Sequence, residues 1–373
     1  MIRLFVTGDE HIGLKYAGHE KPDQIARCRI SAFENMVTAA NDENCDLFVI
    51  TGDLFENHSV SKAAVQSVTK ILSNFNGVVA VLPGNHDYYS KNSKVWKSFI
   101  NEIKDYDNIM LMTEYRPYTL SGFDENIVLY PALCTSLHSK PGENNLGWIK
   151  DEAITPDSAY RIGIAHGSVE GETIDREGEY FRMSRAELES IPVDVWLIGH
   201  THVPFPKDLT CDFKKTERIL NAGTHVQTDV NCNTEGLCFI VEIDDDKTVR
   251  AKKFVSGNIR FIRRTIEVSN GNIKETLNRE LGAYPDESVV EITLTGTVDD
   301  KEYSERESIA NECLSRFIEG TSNDSELSRL ITKELIDSQF AETSFSAQFL
   351  SELLQEPKEA QLVYDLMNSL KKE

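Results

Sequence analysis

Three short apolar runs constrain this chain more than any other feature. Each is closed by glycine or proline and is followed at once by side chains of the metal-binding type. Residues 2–7 (IRLFVT) stop at Gly8 and lead to Asp9 and His11. Residues 46–51 (DLFVIT) stop at Gly52 and lead to Asp53. Residues 78–82 (VVAVL) reach Pro83-Gly84 and then Asn85, His86 and Asp87. Unbroken apolar runs of this length fit strands buried on both faces. Between them, Ile30, Phe33, Val37 and Ala40 form one helical stripe, and Ala64, Val65, Val68, Ile71, Leu72 and Phe75 form another. A β-α-β-α-β start predicts a largely parallel, covered sheet with right-handed crossovers.

Further strand-like runs lie at 127–130, 161–165, 194–198, 218–222 and 236–243, and predict a second sheet packed on the first. Strand-like text continues through 247–268. Beyond it, residues 273–281 read as helix, 288–296 as strand and 302–318 as helix. The polar stretch 320–328 (GTSNDSELS) reads as a linker or loop. The rest is helical, interrupted at Pro357, with Leu362, Val363, Leu366, Met367 and Leu370 on one face. The organisation expected is a main domain over 1–265, a small α+β domain over 266–320 and a helical tail over 321–373.

Two more strand ends deliver ligand-type residues: His166 after 161–165, and His200 and His202 after 194–198. Ligands of open α/β sheets gather beyond the carboxyl ends of strands. A lone D-x-H, G-D or histidine is ordinarily incidental or structural; five in succession at five strand ends are not. The set Asp9, His11, Asp53, Asn85, His166, His200 and His202 offers carboxylate, imidazole and one carboxamide. That mixture suits manganese, iron or zinc better than calcium or magnesium alone. It is too large for one ion, whereas two ions bridged by a carboxylate would use it all. Such a pair clamps a phosphate and acidifies a water, and its natural reaction is phosphoester hydrolysis.

The five motifs D-x-H, G-D, G-N-H-D, H and G-H-x-H, in this order over about residues 7–202, resemble those of the calcineurin-like metallophosphoesterases. The resemblance implies an α/β fold of two mixed β-sheets sandwiched between helices. It implies one metal held by Asp9, His11, Asp53 and His202, and a second held by Asp53, Asn85, His166 and His200, with Asp53 as the bridge. His86 would contact the scissile phosphate or protonate the leaving oxygen, with Asp87 holding its imidazole. At finer grain, TGDEHIGLKY, TGDLFENHSVS, AHGSVEG, LNAGT and VVEITLTG are similar to segments of SbcD-type DNA repair nucleases. That implies two divalent ions, manganese first, with magnesium, iron and zinc as alternatives. It also implies exonuclease and endonuclease action near DNA ends, a homodimer, a capping domain over 266–320, and a tail that docks an SbcC-type coiled-coil ATPase, packing of the tail on its own domain being the plainer alternative. One departure stands out: Glu56 occupies the position after G-D-L-F where that family often has histidine, with His58 two residues on.

Composition limits where DNA could lie. Thirty-nine basic against 61 acidic residues give a net charge of −22, against any whole-molecule affinity for nucleic acid or anionic membrane. Residues 250–264 (RAKKFVSGNIRFIRR) are the exception, and Arg260, Arg263 and Arg264 around Phe261 are the candidate DNA contacts. An exposed strand face without a partner is the plainer alternative. Seven scattered cysteines with no C-x-x-C pair predict free thiols. No apolar run approaches a membrane span and the start lacks a signal-peptide core, so a soluble, cytoplasmic protein is expected. Two rivals to the nuclease remain: a phosphatase or nucleotide phosphoesterase using the same site, and a metal-bearing scaffold that regulates an ATPase.

Overall fold

Side-chain alternation along the early strands decides the layering. The computed structural model describes residues 1–123, 126–152, 159–172, 178–232 and 234–370. In β1 (Ile2–Thr7) and β2 (Leu47–Ile50), Leu4, Val6, Leu47 and Val49 enter one core, while Phe5, Phe48 and Ile50 enter another on the opposite face. A sheet that is apolar on both faces must be covered on both. The remaining strands are β3 (Val78–Val81), β4 (Ile109–Leu111), β5 (Tyr118–Leu120), β6 (Ile127–Ala132), β7 (Tyr160–His166), β8 (Val195–Gly199), β9 (Lys214–Lys215), β10 (Ile219–Asn221), β11 (Leu237–Ile243), β12 (Val249–Val255), β13 (Arg260–Ser269), β14 (Ser288–Val298) and β15 (Glu319–Arg329).

Two compact units result: Met1–Gly18 with Pro22–Ile259, and His19–Lys21 with Arg260–Glu373. The first holds a seven-stranded sheet, ordered β4-β3-β2-β1-β11-β12-β9, and a five-stranded sheet, ordered β10-β8-β7-β6-β5. Strands β4 to β1 run parallel, as do β10 to β6; the others pair antiparallel, so both sheets are mixed. The inner faces meet in one core, where Leu4, Val6 and Val49 join Leu129, Ile162, Ile164 and Leu197. Helices α1 (Pro22–Asp42), α2 (Lys62–Leu72) and α3 (Lys94–Glu102) cover the outside of the first sheet. Helices α4 (Gly147–Asp151) and α5 (Arg185–Ser190) cover the outside of the second, against Trp196 and Ile198. The first unit is thus the two-sheet, helix-flanked α/β sandwich expected.

The second unit is built on a parallel three-stranded sheet, β13-β14-β15. Its crossovers carry α6 (Ile273–Leu281) and α7 (Asp300–Leu314), which pack Leu277, Leu281, Ala310 and Leu314 on Ile266, Ile292 and Leu294. Residues 320–328 are not the loop expected: they form most of β15. The strand lies at the sheet edge beside β14 and buries Leu327 alone among mostly polar residues, so it carries no alternation to read. Helices α8 (Lys333–Gln339), α9 (Phe345–Glu352) and α10 (Pro357–Leu370) share a small core of Ile336, Phe340, Leu350, Ala360 and Tyr364. The expected apolar face of α10 is divided. Val363 and Met367 turn to this core, while Leu362, Leu366 and Leu370 are 71%, 58% and 64% exposed.

Candidate metal centre

The turns after β1, β2, β3, β7 and β8 are stitched together by backbone hydrogen bonds. Asp9 N–H donates to Gly52 O (3.0 Å) and His11 N–H to Asp53 O (2.9 Å). Carboxylates then clamp neighbouring turns: Asp53 Oδ1 accepts from His86 N–H (2.8 Å) and Asp9 Oδ2 from His200 N–H (2.9 Å). Close approach at the centre requires glycine at two places. A Cβ on Gly84 would stand 2.1 Å from Asp53 Oδ1, and one on Gly52 2.2 Å from His166 Nδ1. The ligand-type residues themselves take a strained backbone. Nine non-glycine residues of the described chain have positive φ, and five are Asp9 (56°), His11 (43°), Asp53 (53°), His200 (113°) and His202 (52°). Strain of this kind collects where function over-determines the backbone.

The side chains converge. Asp9, His11 and His202 form one group of ligand atoms within 4.8 Å of one another; Asp9, Asp53 and His166 form a second, and His11, Asp53 and His86 a third. His11 Nε2 faces His202 Nε2 at 3.0 Å and Asp53 Oδ2 at 3.8 Å. His166 Nδ1 donates to Thr51 O (2.9 Å), which leaves Nε2 to face Asp53 Oδ2 (3.2 Å) and Asn85 Oδ1 (3.0 Å). The Asn85 amide N–H donates to Leu137 O (3.1 Å), so its oxygen points inward, also 3.1 Å from His200 Nδ1. Nitrogen and oxygen atoms of ligand type gathered at these distances fit a cation between them, and the donor set fits a divalent one. All seven expected ligands therefore meet at one rim.

Electrostatics divide the two carboxylates. Burial raises Asp9 to about 6, assisted by the nearby Asp53. Burial also acts upward on Asp53, but His166, His11 and His86 outweigh it and hold this carboxyl well below its usual range. Burial pulls His166 down, yet Asp53 and Asp9 carry it to about 9. Burial and the neighbouring His11 depress His202 to about 3.

Asp87 does not do what its place in the sequence implied. Its two oxygens accept the backbone N–H groups of Gly84 (2.7 Å) and Phe55 (3.0 Å), so it shapes the turn and does not hold the His86 ring. His86 Nδ1 instead lies 3.3 Å from Glu56 O. His58 sits apart, with Nδ1 2.9 Å from Ser93 Oγ and its ring edge-on to Tyr88. Two supporting residues escaped the sequence reading. Buried Arg29 of α1 donates to Glu10 O (2.6 Å) and braces the D-x-H turn, and Thr51 O orients His166. Glu56 reaches the site as well, and the departure at its position was the one signal that pointed to it.

The basic run is split, its first part on β12 in the first unit and its last part on β13 in the second. Much of its charge is matched: Lys252 by Glu43 (2.9 Å), Arg250 by Asp244 (3.0 Å) and Arg263 by Glu291 (2.7 Å). Arg264 Nε donates to Tyr284 Oη (3.0 Å), and Arg260 opens β13. All seven cysteines are free. Among the described residues no helix is long and apolar enough to cross a membrane.

Residues 2–204 match the calcineurin-like phosphoesterase family. Similar solved structures include TT1561 of Thermus thermophilus, at 12% identity and a TM-score of 0.42, covering 67% of this chain and 97% of that one. Another is a dimetal phosphatase from Danio rerio, at 12% identity and a TM-score of 0.40, covering 68% and 98%.

Proposed function

The chain belongs to the calcineurin-like phosphoesterase family, and from that premise we propose that it is a dinuclear-metal phosphodiesterase serving as an SbcD-type DNA nuclease subunit. The observation that carries the metal chemistry is the gathering of seven ligand-type side chains at one rim, five of them on left-handed backbone. In this reading Asp9, His11, Asp53 and His202 hold one ion and Asp53, Asn85, His166 and His200 the other, manganese being the expected metal. When bound, such ions supply positive charge to phosphate oxygens and lower the pKa of a water. The chain's own residues do the rest. Asp53 lies between the two sets, and backbone hydrogen bonds fix the turns that carry them. His86 donates through Nδ1 to Glu56 O, which leaves Nε2 as the nitrogen that can serve a leaving oxygen.

The nuclease assignment rests on the resemblance of TGDLFENHSVS, AHGSVEG, LNAGT and VVEITLTG to that family. In the same reading the unit from Arg260 onward caps the DNA, with Arg260, Arg263 and Arg264 as contacts. The exposed leucines of α10 dock an SbcC-type coiled-coil ATPase, and the nuclease works as a homodimer in the cytoplasm. A second reading, a phosphatase of small substrates, is favoured by the acidic partners of the basic run.

The test is hydrolysis by the manganese-loaded full chain of linear duplex DNA and of p-nitrophenyl phosphate and its bis ester. The nuclease reading expects DNA degradation and bis-ester hydrolysis, both abolished in Asp53→Asn. Hydrolysis of the monoester alone would establish the phosphatase instead.

A further inference from the structure

Glu56 stands where the resembled nucleases often carry histidine, and its side chain has a definite place. Glu56 N–H donates to Ile12 O (3.1 Å) and Ile12 N–H to Leu54 O (2.9 Å), so the chain after Asp53 is paired to the chain after His11. This sets Glu56 Oε2 at ion-pair distance, 3.0 Å, from His11 Nδ1, a buried nitrogen that makes no aligned hydrogen bond. The His11 side chain is 5% exposed and that of Glu56 23%, so the pair is partly withdrawn from water. On its other side the His11 ring meets His202 nitrogen to nitrogen at 3.0 Å.

The two ends of the ring are linked by its tautomer. A cation between His11 and His202 needs the Nε2 lone pair of each. The His11 proton must then sit on Nδ1, where the Glu56 carboxylate stands at ion-pair distance and a small rotation would make it the acceptor. A ligating imidazole whose far nitrogen meets a carboxylate is held in both orientation and tautomer, and its donor strength rises. We infer that Glu56 is a positioning residue that fixes His11 for the ion shared with Asp9 and His202. The inference rests on the dinuclear reading above. It gives this chain a carboxylate behind a metal ligand at a position where an imidazole would face the substrate.

The same residue meets His86 through its carbonyl oxygen, a contact that no side-chain replacement removes. Glu56→Gln and Glu56→Ala therefore isolate the effect on His11. Mn²⁺ titrations of the full-length wild type and both variants, followed by the electron paramagnetic resonance of free Mn²⁺, test the inference beside melting temperatures in EDTA. The wild type should take up two ions. In Glu56→Gln one of the two should bind about 10- to 100-fold more weakly, and in Glu56→Ala at least as weakly. The other ion and the metal-free melting temperature should be unchanged. Two unaltered affinities in Glu56→Gln and Glu56→Ala would overturn the inference while leaving the dinuclear centre standing. Joint weakening of both ions with a lower metal-free melting temperature would make Glu56 a structural residue and also overturn it. A wild type that binds no Mn²⁺ would remove the dinuclear reading and this inference with it.

Discussion

His166 has no solvent to share its charge with, and its ring nitrogens meet Thr51 O, Asp53 and Asn85. Burial lowers its pKa, but the carboxylates of Asp53 and Asp9 raise it to about 9. Since this lies above the ordinary 6.5, the His166–Asp53 pair stabilises the metal-free protein fully below about pH 6.5. That contribution is lost as pH rises through about 9. A cation competes for the same nitrogen, so binding must expel the proton. Calorimetry at pH 7.5 in buffers of different ionisation enthalpy should report close to one proton released per chain from this site. No release would mean that His166 is neutral before the ion arrives. His86 yields a second prediction. Its backbone N–H keeps the bond to Asp53 whatever its side chain, so His86→Gln should retain both ions. Turnover of an alkyl phosphodiester should fall about 10²- to 10⁴-fold, and that of a p-nitrophenyl ester less, because its leaving group needs no proton. Loss of an ion would instead make His86 a ligand, as its grouping with His11 and Asp53 allows.

At the scale of elements, strands that end in ligands were readable because each is apolar on both faces and stops at glycine or proline, leaving no competing period. Strands β4, β5 and β9 were not, being two or three residues long. Strand β15 was hidden for the opposite reason: it is long but polar, held by backbone pairing with β14. Asp87 was misread because adjacency in sequence was taken for contact in space, whereas the turn spends its oxygens on Gly84 and Phe55. Glu56 showed only as a missing histidine, since the pairing of Ile12 with Phe55 that aims it is a tertiary fact. The three tail helices have a core of their own, joined to β15 by the Gln361 side chain on Arg329 N–H and by Arg329 over the Tyr364 ring. Deleting residues 331–373 should therefore leave a soluble chain that binds two ions and hydrolyses a small phosphodiester. If α10 docks a coiled-coil ATPase as proposed, stimulation by that partner should disappear. Insoluble protein, or loss of the ions, would show that the tail supports more than itself.

For the molecule as a whole, the acidic balance and the matched charges on β12 and β13 leave recognition of a polyanion to local geometry and to whatever cations the rim holds. The rim makes a demand on everything beneath it. At Asp9, His11, Asp53, His200 and His202 the backbone conformation is one that glycine adopts freely and other residues adopt at roughly 1 kcal/mol or more each. Glycine carries no ligand. At these five positions, then, the residue best for folding and the residue best for chemistry differ. Selection for heat resistance or solubility alone would wear the rim down toward a sturdier and inert sandwich.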